Sequence, residues 1–249
     1  MVNMRPIVHG YFLCYNEEYI LPHLLKYYSS ICDKIYILDN ESTDNSHDII
    51  KSFNNTEIIS WNSGNEVRDD LYLELKNNVW KQSRGIANYV IVGDADEILY
   101  HLNMNKFLEE SLINGYTIFK PEGYHMIGDK DLILSSTDSL LELVTDGIKG
   151  SSNDKLMLFN CNEIAEINYS PGCHNANPTG NVKYYNTSEL KMLHYKYLGL
   201  NDFIPKQLIR GKRLSEINKR NGWGSYYLFD AKQHEDEYET FIIRRVKVI

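Results

Sequence analysis

The stretch Tyr89-Val90-Ile91-Val92-Gly93-Asp94-Ala95-Asp96-Glu97-Ile98 decides how the rest of the chain is read. Tyr89 to Val92 is a short apolar run of the kind that forms a strand buried on both faces. It ends in Gly93, followed by three acids within four residues. Carboxylates this close repel one another; they raise each other's pKa or call for a cation, and hard divalent ions prefer such oxygen ligands. In an open α/β sheet ligands bind just beyond the carboxyl ends of the strands, where this cluster stands. A solvated acidic turn after a core strand has the same local composition, so the cluster must be weighed with its surroundings.

Upstream, strands and helices alternate with short links. Ile7 to Cys14 is rich in strand formers, and Ile20, Leu21, Leu24, Leu25 and Tyr28 then follow helical spacing, with Pro22 in the first turns. Lys34 to Leu38 is a second strand, after which Ser42, Thr43 or Asp44 can cap a helix reaching Phe53. Glu57 to Trp61 is a third strand, and a helix from Val67 to Ser83 leads to Tyr89. Such alternation predicts an α/β fold with a mostly parallel sheet covered by helices. All four strand ends then face one crevice, which gathers Asn16 and Glu17, Asp39 and Asp44, Arg68, and Asp94 and Asp96.

Downstream the pattern is less regular. A helix over Met104 to Ile113 precedes a strand at Tyr116 to Lys120, and Leu132 to Val144 reads equally as strand or helix. Gly147 to Asp154 reads as a loop, Leu156 to Phe159 as a strand, Ser170 to Gly180 as a polar loop and Lys191 to Tyr197 as a strand. Asn201 to Arg220 is helical and basic, and the tail Phe241 to Ile249 is strand-like. With no repeat or clean linker, residues 1–249 are expected to form one domain. Residues 1–100 would be its ligand-binding half, and 101–249 a less regular half ending in a helix and a strand.

A net charge of −8 argues against a nucleic-acid partner, because neutralising phosphates needs a basic face. A local basic patch is still open to the chain around Lys206 to Lys219. Cys14, Cys32, Cys161 and Cys173 show no CxxC spacing, so reduced thiols in a cytoplasm are expected. Met1 to Pro6 lacks a signal-peptide pattern, and no run approaches the roughly 18 apolar residues of a membrane span.

An acid after the second strand, a basic residue after the third and an Asp-x-Asp after the fourth make a usable nucleoside-diphosphate site. Asp39 can accept from a base N–H, Asp94 can hold a ribose hydroxyl, and Asp96 can hold a metal that bridges the phosphates. No Gly-rich phosphate loop follows the first strand, which excludes the dinucleotide and P-loop readings.

Three segments, Cys14-Tyr15-Asn16-Glu17-Glu18, Leu38-Asp39-Asn40-Glu41-Ser42-Thr43-Asp44-Asn45-Ser46 and Gly93-Asp94-Ala95-Asp96-Glu97, together resemble the GT-A-fold glycosyltransferases of the family 2 type, in the branch whose motif reads Asp-Ala-Asp-Glu. The likeness covers residues 7 to 130, and more loosely Cys173-His174 and Leu193-His194-Tyr195. It implies a hexosyltransferase-type enzyme moving a sugar from a nucleotide-sugar donor, UDP-linked by preference, to a hydroxyl on a glycan, glycolipid or protein. Mn²⁺ or Mg²⁺ would serve as cofactor. Inversion is implied, and the absence of the Gln/Arg-x-x-Arg-Trp pattern disfavours a processive polymer synthase.

By position in that family, Asn16 and Glu17 would border the base pocket, Asp39 would bind the base, Arg68 would contact base or phosphate, and Asp94 and Asp96 would bind ribose and metal. His174 is preferred to His194 as a further metal ligand because it lies in a loop. Asp129 is preferred to Asp131 and Asp154 as the general base. Lys155 is a candidate for phosphate contact. Two other classes stay open. Asp39-Asn40-Glu41-Ser42-Thr43 echoes a haloacid-dehalogenase phosphatase, although Glu41 departs from its pattern. A non-catalytic nucleotide-sugar or glycan binder would keep the same acids.

Overall fold

The first four strands run parallel; the apolar runs of the first and the fourth are buried on both faces, and the third is a partly exposed edge. They are β1 (Val8–Cys14), β2 (Lys34–Asp39), β3 (Thr56–Ser60) and β4 (Tyr89–Asp94), in the spatial order β3-β2-β1-β4. In this computed structural model, which describes residues 5–150 and 153–249, the first four residues of the N-terminal stretch and positions 151–152 of the polar loop lie outside the described residues. Cys14 pairs with Asp39 and Leu13 with Asp94, so the ends of three strands are level.

Helices α1 (Leu21–Tyr28), α2 (Ser46–Lys51) and α3 (Asp69–Asn78) form the crossovers, and a 3₁₀ turn over Val79–Ser83 extends the third. Alternation with period two sorts the strand side chains into two cores. Phe12 and Ile91 pack with Leu21, Leu24 and Tyr28, whereas Tyr11, Val90 and Val92 pack with Trp80 and Phe159. Each such fully buried large apolar side chain contributes about 1.5–3 kcal/mol.

The second half continues the sheet. It comprises β5 (Glu97–Tyr100), α4 (Met104–Ile113), β6 (Ile118–Ile127), α5 (Leu140–Leu143), β7 (Asp146–Lys149), β8 (Leu158–Asn160), β9 (Ile164–Glu166), β10 (Thr179–Gly180) and β11 (Tyr184–Tyr197). After these come α6 (Leu200–Lys212), α7 (Glu216–Asn221), α8 (Ala231–Arg244) and β12 (Val246–Lys247). Antiparallel neighbours carry the sheet from β4 through β8, β6 and β7 to β12. β11 lies parallel to β6 and antiparallel to β5, and β9 and β10 form a separate ribbon.

Several local expectations give way here. The strand-like tail is helical through Arg244, because Asp230 and Gln233 form a capping box that starts α8. The basic helix predicted over Asn201 to Arg220 breaks before Ser215, whose side chain accepts from the Asn218 N–H and caps a separate α7. Only Leu140–Leu143 of the ambiguous stretch is regular, and β7 takes the first residues of the presumed 147–154 loop. Among the described residues no helix is long and apolar enough to cross a membrane. All four cysteines are free and buried.

Candidate functional site

The acidic turn sits between β4 and β5, tied to β1 by the Ala95 N–H donating to the Leu13 carbonyl at 3.0 Å. Its mutual repulsion is answered by lysines. Lys76, from α3, contacts Asp94 Oδ1; Lys155 lies 3.5 Å from Asp94 Oδ2 and contacts Glu97 Oε1. Glu97 is fully buried, and its other oxygen accepts the Asp94 N–H at 3.1 Å. Burial opposes the Asp94 charge, but Lys76 and Lys155 overcome it and hold the carboxyl at about 2. Burial likewise opposes both ammonium groups, and their carboxylate partners hold them above the ordinary lysine value.

Asp96 has different company. It is 4% exposed, with His194 Nε2 at 3.5 Å and Arg210 Nη2 at 3.8 Å from Oδ2. Against the cost of burial, His194 first and Arg210 next hold it well below the usual carboxylate range. His194 is placed by β11, where it pairs with Glu97 on one side and His125 on the other. The His125 ring lies 5.2 Å from it, and burial, helped by the nearby positive groups, pushes His125 down to about 2, so that ring is neutral.

Glu17 follows β1 and is buried against α6, touching Lys206 and lying 3.2 Å from Arg210 Nη2. Burial outweighs these cations and raises its pKa. Next to it, Asn16 adopts a left-handed φ of 51°; its side-chain oxygen accepts the Thr43 N–H at 2.7 Å, so it shapes the loop. Asp39 is 1% exposed; Oδ2 accepts from His47 Nε2 at 2.8 Å and from the Ser42 N–H at 3.1 Å, while Oδ1 is buried with no partner among the described residues.

Glu17, Asn40, Asp94 and Asp96, but neither Asn16 nor Asp39, line a cleft of ≈ 210 Å³ at the carboxyl ends of the parallel strands. Its walls carry five cationic side chains (Lys76, Lys155, Lys196, Arg210, Arg213) against four carboxylates (Glu17, Asp69, Asp94, Asp96). In a chain of net charge −8 that is a local reversal of sign. Arg213 lies over the Tyr15 ring at 3.2 Å and donates to the Asn65 carbonyl at 3.1 Å, with Nη2 buried and unpartnered among the described residues. Val67 donates to the Arg213 carbonyl at 2.7 Å, joining the end of α6 to the loop before α3. Tyr226 and Tyr227 complete that wall. A Cβ at position 211 would stand 2.2 Å from the Tyr227 carbonyl oxygen, so Gly211 permits this packing against α6.

The structure therefore brings together Glu17, Asp94, Asp96, His174, His194 and Lys155. Arg68 is turned onto Asp70, with contacts of 2.8 and 2.6 Å, while its neighbours Val67 and Asp69 line the cleft. Asp129 is not among the cleft walls: β6 ends at Ile127, and the Asp129 side chain is 71% exposed with Arg245 at 2.7 Å. Lys76, Lys196, Tyr15 and the tyrosines at 226 and 227 were not anticipated. A lysine on an amphipathic helix or strand carries no local mark that distinguishes it from a solvated one.

The fold and cleft define an α/β protein with a parallel-stranded half, a mixed sheet flanked by helices, and a charged crevice at the strand ends. No family model matches the sequence, and no curated protein matches it. Among solved structures, residues 1–349 of Staphylococcus aureus TarS align at 12% identity over 86% of this chain and 68% of that one, with a TM-score of 0.48. Longer TarS gives the same score with 41% of its length covered. Glucosyl-3-phosphoglycerate synthase from Mycobacterium tuberculosis, solved with Mn²⁺, UDP and glucosyl-3-phosphoglycerate, aligns at 17% identity over 47% of this chain and 44% of that one, with a TM-score of 0.34. This chain thus spans under half the length of the longer TarS and of the synthase.

Proposed function

We propose that the chain is a GT-A-type, hexosyltransferase-type glycosyltransferase, inverting and non-processive, that takes a sugar from a nucleotide-sugar donor, UDP-linked by preference, to a hydroxyl acceptor. The observation that carries this reading is the placement of Asp94 and Asp96 at the end of β4, in a cleft that Lys76, Lys155, Arg210 and Arg213 also line. A leaving nucleoside diphosphate is the chemistry such a site suits. Its charge grows as the glycosidic bond breaks, and preorganised cations in a low-dielectric crevice stabilise that growth. The three-motif resemblance supplies the sugar. A cytoplasmic workplace accords with the free thiols.

The donor set fits a divalent cation only in part. Both oxygens of Asp94 face lysines, and among the described residues no group of three His, Cys, Asp or Glu side chains is placed to hold a metal. Ions such as Mg²⁺ take one or two carboxylates and complete their shell with water and substrate phosphate. Asp96 and His194 form such a partial shell, so these two residues would hold Mn²⁺ or Mg²⁺. The ion would supply Lewis-acid stabilisation of the diphosphate. Lys76 and Lys155 would orient Asp94 toward the ribose, and Asp39 Oδ1 would await a base N–H.

Melting the protein with UDP, GDP, CDP and TDP, each with Mn²⁺ or with EDTA, tests the reading. A ligand of the native state at 100 times its Kd stabilises by about 2.7 kcal/mol, a shift of about 5 to 10 °C for a chain of this size. One base, UDP, is expected to win in Mn²⁺ and to weaken in EDTA. If no nucleotide moves the transition under either condition, the donor site is wrong.

A further inference from the structure

The cleft lysines are not alike. Lys76, Lys155 and Lys206 each touch a carboxylate. Lys196 does not. It lies on β11, 8% exposed, with its ammonium over the rings of Tyr226 at 4.3 Å, Tyr197 at 5.1 Å and Phe203 at 5.7 Å. Among the described residues it has no ion pair and donates no hydrogen bond. Aromatic faces return less than it costs to take an ammonium out of water. A four-carbon stem can usually carry the charge to solvent. This one ends in the cleft beside Arg210, a like charge whose Nη2 is already turned to Glu17. Glu237 and Asp96 favour the charge from a distance, but neither forms an ion pair with Lys196, which leaves room in the cleft for an anion in direct contact with it.

We propose that Lys196, with Arg210 beside it, forms an anion subsite that holds a phosphate or carboxylate of the acceptor, so that the acceptor is an acidic molecule. This rests on the glycosyltransferase reading. Assignment to the acceptor, rather than to the donor diphosphate, follows from position. Lys76 and Lys155 contact Asp94 at the end of β4, where the donor phosphates belong, while the Lys196 ammonium is held over Tyr226 in the turn at Ser225–Leu228. An acid docked there would neutralise Lys196 and be oriented by its ammonium, leaving a hydroxyl to face the donor sugar.

The test uses the whole chain, wild type and Lys196→Met, with Lys196→Arg as the variant that keeps the charge. Methionine retains most of the buried stem and removes an unpaired charge, so the fold should persist. Melting curves are recorded with UDP, with inorganic phosphate, and with both, against chloride at equal ionic strength. In the wild type the phosphate shift should add to the UDP shift. Lys196→Met should lower phosphate affinity by about tenfold or more, as loss of a charged hydrogen bond does, and leave UDP affinity unchanged; Lys196→Arg should retain both. The proposal is overturned if phosphate binds Lys196→Met as it binds the wild type, or if phosphate and UDP compete. Loss of UDP affinity in Lys196→Met overturns it too, because Lys196 then contacts the donor. Should UDP bind none of the proteins, the donor reading fails separately, and the phosphate arm on the free protein still decides whether Lys196 is an anion site.

Discussion

Replacing Lys155 by methionine should be among the most damaging single changes near the cleft, and its size follows from one buried carboxylate. Glu97 has no solvent exposure; one of its oxygens contacts Lys155 and the other accepts the Asp94 N–H. Methionine fills much of the lysine stem, so little cavity is added and the loss is electrostatic. Removing one partner of a buried pair costs about 3–5 kcal/mol, because the remaining charge is stranded. At roughly 2 to 4 °C per kcal/mol for a chain of this length, the melting temperature should fall by about 6 to 20 °C. Asp94 keeps Lys76, so the damage is centred on Glu97. Adding Glu97→Gln to Lys155→Met should recover most of the loss, since a buried pair replaced as a unit is often close to neutral. Urea and thermal unfolding of the two single variants and the double complete the cycle. A loss under about 1 kcal/mol for Lys155→Met, or a double variant no better than it, would refute the stranded-charge argument.

Acid should attack the same network. Asp94 is held at about 2 and Asp96 is also depressed, so the stability they contribute is complete above the ordinary carboxylate pKa of about 4 and is lost as pH falls from there toward 2; a flat stability profile across that window, followed by urea unfolding, would count against the pairing. Asp96→Asn should leave the fold intact while removing the Mn²⁺-dependent part of the UDP melting shift; a shift equal to that of the wild type removes Asp96 from the metal shell. Asp39→Asn should raise the donor KM by about 10- to 150-fold, the equivalent of roughly 1.5 to 3 kcal/mol for a charged hydrogen bond, with less effect on kcat. Steady-state kinetics showing a normal KM and a collapsed kcat would make Asp39 a nucleophile.

How much of this was legible in the sequence depends on the range of the forces involved. Parallel strands buried on both faces read as apolar runs, so β1, β2 and β4 and the acids at their ends could be placed from local pattern. α8 was missed because its buried residues, His234 and Tyr238, are few and its face is mostly polar, although Asp230 and Gln233 carried a capping signal. Asp129 looked like a free loop acid until β6 and the end of α8 brought Arg245 to it. Lys76 and Lys196 belong to the same class of failure: their burial is decided by elements far off in the chain, and no periodicity marks it. The preference for His174 over His194 came from loop setting. His174 does line the cleft, and β11 adds His194 beside Asp96 by pairing with β5, a strand too short to be read from its four residues.

Buried ion pairs rarely stabilise a protein as much as well-packed apolar side chains of the same volume. A fold selected only to persist would not place Lys76, Lys155, Lys206 and Arg210 around Glu17, Asp94, Asp96 and Glu97 when the rest of its core is built from Phe, Leu, Ile and Tyr. What such a network offers is a set of charges held in position before a ligand arrives, so that an anion entering the cleft meets dipoles and cations that need no reorganisation. It also joins distant parts of the chain, since Glu17 after β1 is fastened to Lys206 and Arg210 on α6. The wall that carries Lys196 is thereby fixed relative to the wall that carries Asp94. An acidic acceptor and a diphosphate donor bound to the two walls would be held in one orientation, which is the main requirement of a transfer that proceeds once per encounter.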